Sequence, residues 1–125
     1  MIGGTAKCLK YYGEHPIASA ESVCSQEDAV LPLPLNDQEN NDYYTAFLAI
    51  DDGVSFFAVA LGANDFDVEG NWVDRDGHQI KYSSWGLNEP DDTGDYAMMQ
   101  LTGGVNNWKD VGGFVNSVGV ICVSI

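Results

Sequence analysis

The chain has 125 residues, 45% of them apolar and 19% charged, which suits one domain around one hydrophobic core and argues against a disordered chain. Nineteen acidic residues against five basic ones leave a net charge of −14, so nucleic acid and anionic membrane surfaces are poor partners. No run reaches the ~18 apolar residues that a membrane span needs, and the Met-Ile-Gly-Gly start lacks the basic and apolar regions of a signal peptide, which reads as a cytosolic chain or a mature form whose signal has been removed.

Lys7 to Tyr12 reads as a short opening strand. Ile17, Ala20, Val23 and Cys24 recur at helical spacing and predict a first helix over Ala18 to Glu27. The segment Leu31-Pro32-Leu33-Pro34-Leu35 cannot be helical, because its prolines remove backbone donors and bias the preceding residues toward extended geometry. Asn36 followed three residues later by Glu39 has capping-box spacing. The helix it opens carries Tyr44, Phe47 and Leu48 on one side and ends before Asp51-Asp52-Gly53. Phe56 to Leu61 is an apolar run suited to a buried strand, and Ala63 to Thr93 is mostly turn chemistry. Strands return at Ala97 to Leu101, Asn106 to Val111 and Val118 to Ser124. Helices first, strands later and a long acidic loop between them define an α+β domain spanning residues 1–125.

Three cysteines permit at most one intramolecular bridge. A bond between Cys24 and Cys122 would close a loop of roughly 99 residues, worth up to ~4.7 kcal/mol on chain-entropy grounds, and would leave Cys8 over. Cys8 would then be open to an intermolecular bond, as in a homodimer. Three buried, reduced cysteines of a cytosolic protein are the plain alternative.

The long loop holds the chemistry. Nine of the 19 carboxylates lie between Asp65 and Asp95, where only Arg75 and Lys81 are basic. A solvated charged loop is the bland explanation. Unit charges ~4 Å apart repel by several kcal/mol at an effective dielectric of ~20, however, and a hard cation reverses that penalty. Calcium takes six to eight oxygens, and a flexible loop rich in Asp and Glu supplies them. Asp65, Asp67, Glu69, Gly70 and Asp76 mimic the spacing of an EF-hand loop. The apolar run before them is strand-like and His78 to Tyr82 is too short for an exit helix, so an EF-hand is not expected.

The order Leu61-Gly62-Ala63-Asn64-Asp65, Glu69-Gly70, Trp72, Asp76-Gly77, Tyr82, Trp85, Glu89-Pro90-Asp91, Trp108-Lys109-Asp110 and Val120-Ile121-Cys122 resembles a C-type lectin-like domain over nearly the whole chain. The resemblance implies two helices flanking small antiparallel sheets, a long calcium-binding loop and a Cys24–Cys122 disulfide. It places the principal calcium ligands at Glu89, Asp91, Asp95 and Asp110, with a cis bond before Pro90. It places an auxiliary calcium site at Asp65, Glu69, Asp92 and Asp95. Calcium-dependent carbohydrate binding follows as the implied function, the ion coordinating neighbouring sugar hydroxyls that Glu89, Asp91, Lys109 and Asp110 also contact. A secreted or extracellular location goes with it.

The chain departs from that pattern in three places. Lys109 stands where calcium-binding members usually carry Asn, and an ammonium has no lone pair to offer a metal; it either removes one ligand or occupies the site in place of the ion. Glu89 with Asp91 is an acceptor-only pair, unlike the family's Glu-Pro-Asn and Gln-Pro-Asp. The second disulfide is missing, its positions falling near Ala97 and Gly112-Gly113. A lectin-like module that has lost sugar binding and contacts protein or ice is therefore the alternative function.

The remaining candidates read as structural. Trp72, Trp85 and Trp108 are expected as core or loop-packing aromatics rather than as sugar platforms, His15 and His78 on the surface, and Arg75 in a surface pair with Asp74 or Asp76. Asp65 and Glu69 have the alternative of capping turns. No phosphate loop, His-Glu-x-x-His or nucleophile elbow is present, so catalysis is not expected.

Overall fold

The computed structural model describes residues 8–50, 58–86, 89, 94–101, 107–113, 115 and 117–124. Strand β1 is Cys8–His15; a 3-10 turn at Ile17–Ser19 leads into α1, Ala20–Ser25. A two-residue strand β2, Ala29–Val30, precedes the proline segment, and α2 runs Asp37–Ile50. Then follow β3 (Ala58–Asn64), β4 (Tyr96–Gln100), β5 (Trp108–Val111) and β6 (Val118–Ser124).

The start of α2 is fixed as the sequence predicts. The Asn36 Oδ1 accepts the Glu39 N–H at 2.8 Å, and the Glu39 carboxylate accepts the Leu35 N–H at 3.1 Å, one residue before the cap, so one helix-end donor and one flanking donor are satisfied by the pair. The buried face differs from the expected one. Asn40, Tyr43 and Phe47 point inward while Leu48 is 44% exposed, because the 3.6-residue period carries position 48 past the edge of the buried stripe.

The strands form one six-stranded sheet in the order β1-β6-β3-β4-β5, with β2 also paired to β6. The small antiparallel sheets expected from the resemblance are thus a single mixed sheet. Strands β3 and β6 pair in parallel, with Val59 in register with Gly119. The last strand lies inside the sheet, flanked by β1 on one edge and by β2 and β3 on the other. Both faces of β6 are covered, so Val118 to Val123 are all buried without polar alternation.

The alternating direction of the β6 side chains divides the core. Ile121 and Val123 pack with Tyr43 and Phe47 of α2, with Trp72 and with Trp108. Val118, Val120 and Cys122 face the other way, against Ile17, Ala20 and Cys24. Cys24 and Cys122 form a disulfide with Cα atoms 5.4 Å apart, which pins α1 to the central strand. Cys8 is free and exposed on β1.

Candidate functional site

The acidic loop leaves β3 at Asn64 and is tied down locally. Asn64 and Val73 exchange backbone hydrogen bonds at 3.0 and 2.8 Å, and the Asp65 N–H donates to the Asp95 carbonyl at 3.3 Å. Asp65 is turned inward, only 2% exposed, and its Oδ2 accepts the Gly70 N–H at 2.9 Å. The turn-capping role foreseen for Asp65 is therefore present, but it uses one oxygen. The other, Oδ1, is buried with no hydrogen-bond partner.

Around that oxygen the chain gathers acids. Carboxylate oxygens of Asp65, Glu69 and Asp95 all lie within 4.8 Å of one another. The Asp95 carboxyl is pushed up from the ordinary carboxylate range, first by a hydrogen bond shared with Asp65, then by burial and by the charges of Asp65 and Asp110; contact with Glu69 works the other way. Two ionised carboxylates have no proton to share, so the Asp65–Asp95 contact is a hydrogen bond only when one of the two is protonated. With both ionised, the Asp65 Oδ1 lacks a donor, and a proton or a cation is what the geometry calls for. The donors are all carboxylate oxygens, the set that a hard cation prefers.

Asp110 belongs to the same neighbourhood. It is fully buried on β5 opposite Ala97, and its N–H donates to Oε1 of Glu89 at 3.4 Å. Gly94 lies close against the end of β5: a Cβ there would overlap the Val111 carbonyl and the Gly112 nitrogen. Lys109 pairs with Met98. Strand alternation sets it on the opposite face of β5 from Asp110, and among the described residues it forms no salt bridge. Pro90, Asp91 and Asp92 lie outside the described residues.

Other sequence candidates are placed elsewhere. Trp72 and Trp108 are buried, and the three tryptophans run as a chain, with Trp85 4.8 Å from Trp72 and 5.7 Å from Trp108 between ring centroids. Tyr82 donates to Asp37 at 2.7 Å, joining the loop to α2; burial, and then this hydrogen bond, push its phenol up to about 12. Asp74 accepts the backbone N–H groups of Asp76 and His78 at 2.9 and 3.0 Å, a turn device rather than the expected surface pair with Arg75. His78 is exposed, its Nδ1 3.9 Å from Asp74, and a ring nitrogen of His15 donates to the Tyr12 carbonyl at 2.9 Å. Sequence reasoning passed over Phe66, which stands 51% exposed beside Asp65 with its ring edge-on to Tyr96 at 5.0 Å; a single Phe among acids carries no periodic signal that marks it.

The fold built from these elements, a mixed sheet between two helices with a long acidic loop and a helix-to-last-strand disulfide, is the C-type lectin-like fold. Human lithostathine superposes with a TM-score of 0.80 at 21% identity, covering 96% of this chain and 84% of that one. The C-type carbohydrate-recognition domain of cow CD23, solved in the presence of a GlcNAc2Man3 oligosaccharide, gives 0.78 at 21% identity, with 97% and 89% covered. A calcium-independent type II antifreeze protein gives 0.75 at 19% identity, with 95% and 86% covered. No model of a protein family matches the sequence.

Proposed function

We propose that this protein is a calcium-dependent, carbohydrate-binding lectin. The observation that carries the reading is the buried, unpartnered Oδ1 of Asp65, on a side chain whose carboxylate comes within 4.8 Å of those of Glu69 and Asp95, a cost that a bound cation removes. Asp65, Glu69 and Asp95 would hold a calcium ion there, with Asp92 as a further ligand. Glu89, Asp91, Asp95 and Asp110 would hold a second ion, and the hydrogen bond from the Asp110 N–H to Glu89 supports their grouping. Calcium would supply coordination to neighbouring sugar hydroxyls, with Glu89, Asp91 and Asp110 as hydrogen-bonding partners; Lys109, expected from the sequence to share that contact, is set on the other face of β5 and is left out of it. The likeness to a carbohydrate-recognition domain supports binding rather than catalysis. An extracellular setting fits the Cys24–Cys122 bond, since disulfides persist in oxidising compartments; among the described residues no helix is long and apolar enough to cross a membrane.

A second reading, a module that contacts protein or ice without sugar, is favoured by Lys109 at the family's Asn position and by the likeness to a calcium-independent antifreeze protein. Calorimetric titration of calcium into chelator-stripped protein separates the two, run on wild type, Asp65→Asn and Lys109→Asn beside retention on immobilised monosaccharides. Wild-type binding lost in Asp65→Asn, with retention that needs calcium, supports the lectin. Absence of both heat and retention in wild type sinks it. Binding that appears only in Lys109→Asn assigns the lysine to the ion's place.

A further inference from the structure

A groove separate from the acidic cluster runs between α1 and β3, with Phe66 and Tyr96 at its mouth. Its volume is about 270 Å³, just under the ~300–1,000 Å³ of drug-sized ligand clefts and thus scaled to a single small ring. Small residues make the floor. Gly62 sits where a Cβ would press on the Leu31 carbonyl at 3.1 Å, so the close approach of the two segments depends on it. One wall is aromatic: Phe66 is half exposed, fixed edge-on against Tyr96, and its backbone N–H is held by the Asn64 Oδ1 at 3.3 Å. The other wall is the exposed side of α1, with Glu21, Ser22 and Ser25.

The chemistry of these walls selects a ligand class. An exposed ring held rigid by a neighbour presents a flat apolar surface, while two hydroxyls and a carboxylate present mainly acceptors. A ligand that fits both has an apolar face and hydroxyl donors around its edge, which describes a pyranose. Glu21 in the wall, and Asp65, Asp67 and Glu69 beside Phe66, within a chain of net charge −14, disfavour sulfated or sialylated sugars and leave a neutral one. The buried Trp72 and Trp108 offer no such surface.

We propose that this groove is a metal-independent subsite for a neutral monosaccharide unit, with Phe66 as its stacking ring. The ligand class rests on the carbohydrate reading above, but the groove uses none of the carboxylates assigned to calcium. The test is retention on immobilised mannose, galactose and N-acetylglucosamine, with calcium and with chelator, for wild type, Phe66→Ala, Phe66→Trp, Ser22→Trp and Asp65→Asn. The expected result is a chelator-resistant component that falls at least tenfold in Phe66→Ala and in Ser22→Trp, which fills the groove. Phe66→Trp and Asp65→Asn should keep it, and sugar should quench the fluorescence of the indole that Phe66→Trp introduces. Phe66 and Ser22 are exposed, so melting temperatures close to wild type accompany a true loss of binding. Retention that vanishes entirely with chelator overturns the groove and leaves the calcium site standing. No retention in either condition overturns both readings. Phe66-dependent capture of a lysine-rich peptide without sugar retention overturns the sugar assignment.

Discussion

The indole Nε1–H of Trp108 donates to the Oδ1 of Asn40 at 2.8 Å, across 68 positions of sequence and in a fully buried setting. The bond fastens β5, which carries Asp110, to the first turns of α2. It converts a polar residue on the inner face of a helix into a locating pin for the loop-bearing strand. Replacing Asn40 by Leu leaves the indole N–H buried and unsatisfied, which should cost about 1–3 kcal/mol. Urea unfolding monitored by tryptophan fluorescence would read this as a lowered midpoint with an unchanged slope; an unchanged midpoint would remove the pin from the argument.

The cluster around Asp95 sets a pH dependence whose sign is fixed. Asp65, Glu69 and Asp110 face Asp95, and its folded-state carboxyl lies above its unfolded value, so the stabilising state is the protonated one. That contribution is complete below the unfolded value of ~3.9 and is lost as pH rises through the folded one. Chelator-stripped protein should therefore melt at a higher temperature as pH is lowered from 7 toward the carboxylate range. The net charge of −14 pushes the same way, so Asp95→Asn is the control. It should flatten the profile; an identical slope in both proteins would assign the effect to overall charge.

Saturating calcium should stabilise the ionised form of the same cluster. A ligand at ~100 times its dissociation constant adds about 2.7 kcal/mol to stability, a rise of several degrees in Tm for a domain of this size. Asp65→Asn should lose most of that rise while matching or exceeding the wild-type Tm in chelator, because one like charge beside Asp95 is gone. Equal calcium-induced shifts in both proteins, read by scanning calorimetry, would exclude Asp65 as a ligand.

Gly94→Ala tests the close approach beside the site. Its methyl group meets the backbone of Val111 and Gly112 rather than a side chain that can swing away. A drop of more than about 2 kcal/mol is expected, in the range of large single-site effects, with calcium affinity falling alongside because Asp95 moves with Gly94. A stable Gly94→Ala protein with wild-type affinity would mean that residues 94–95 do not depend on this packing.

Removing the bridge by a Cys24→Ala/Cys122→Ala double substitution should cost about 2–5 kcal/mol, since the bond closes a span of 98 positions. Denaturant midpoints of wild type and double variant give the difference directly. The substituted alanines also leave buried volume unfilled, so reduction of the wild type by dithiothreitol is the parallel measurement.

The parts legible in sequence were those with a local physical signature. Val118 to Ser124 reads as a strand because it is apolar, β-branched and bounded by turn residues, and its limits agree with β6. The Asn36/Glu39 cap is a four-residue signal, and its first bond closes as expected while the return bond falls one residue earlier, on Leu35. Features set by distant partners were illegible. Ala29–Val30 is a strand only because the end of β6 has a vacant edge beside β3, and nothing in two residues encodes that. The parallel β3–β6 pairing is equally invisible, since a hydrophobic run does not state its direction. Within the site, Asp65, Glu69 and Asp95 were named from sequence and do converge. What sequence could not supply was the inward turn of Asp65, the burial of Asp110, or the setting of Lys109 on the far face of β5, each of which depends on strand register.

Strand β6 is the last in sequence and the middle of the sheet, with β1, β2 and β3 all attached to it. As the chain leaves the ribosome, everything from Cys8 to Val111 emerges before the strand that organises it. The sheet therefore assembles after its final strand has been made, through contacts of high sequence separation, and such topologies fold slowly. Until then the inner edges of β1 and β3 are open to other chains. A nascent chain stalled short of Val118 is accordingly a species for chaperones to hold, not a smaller version of the domain.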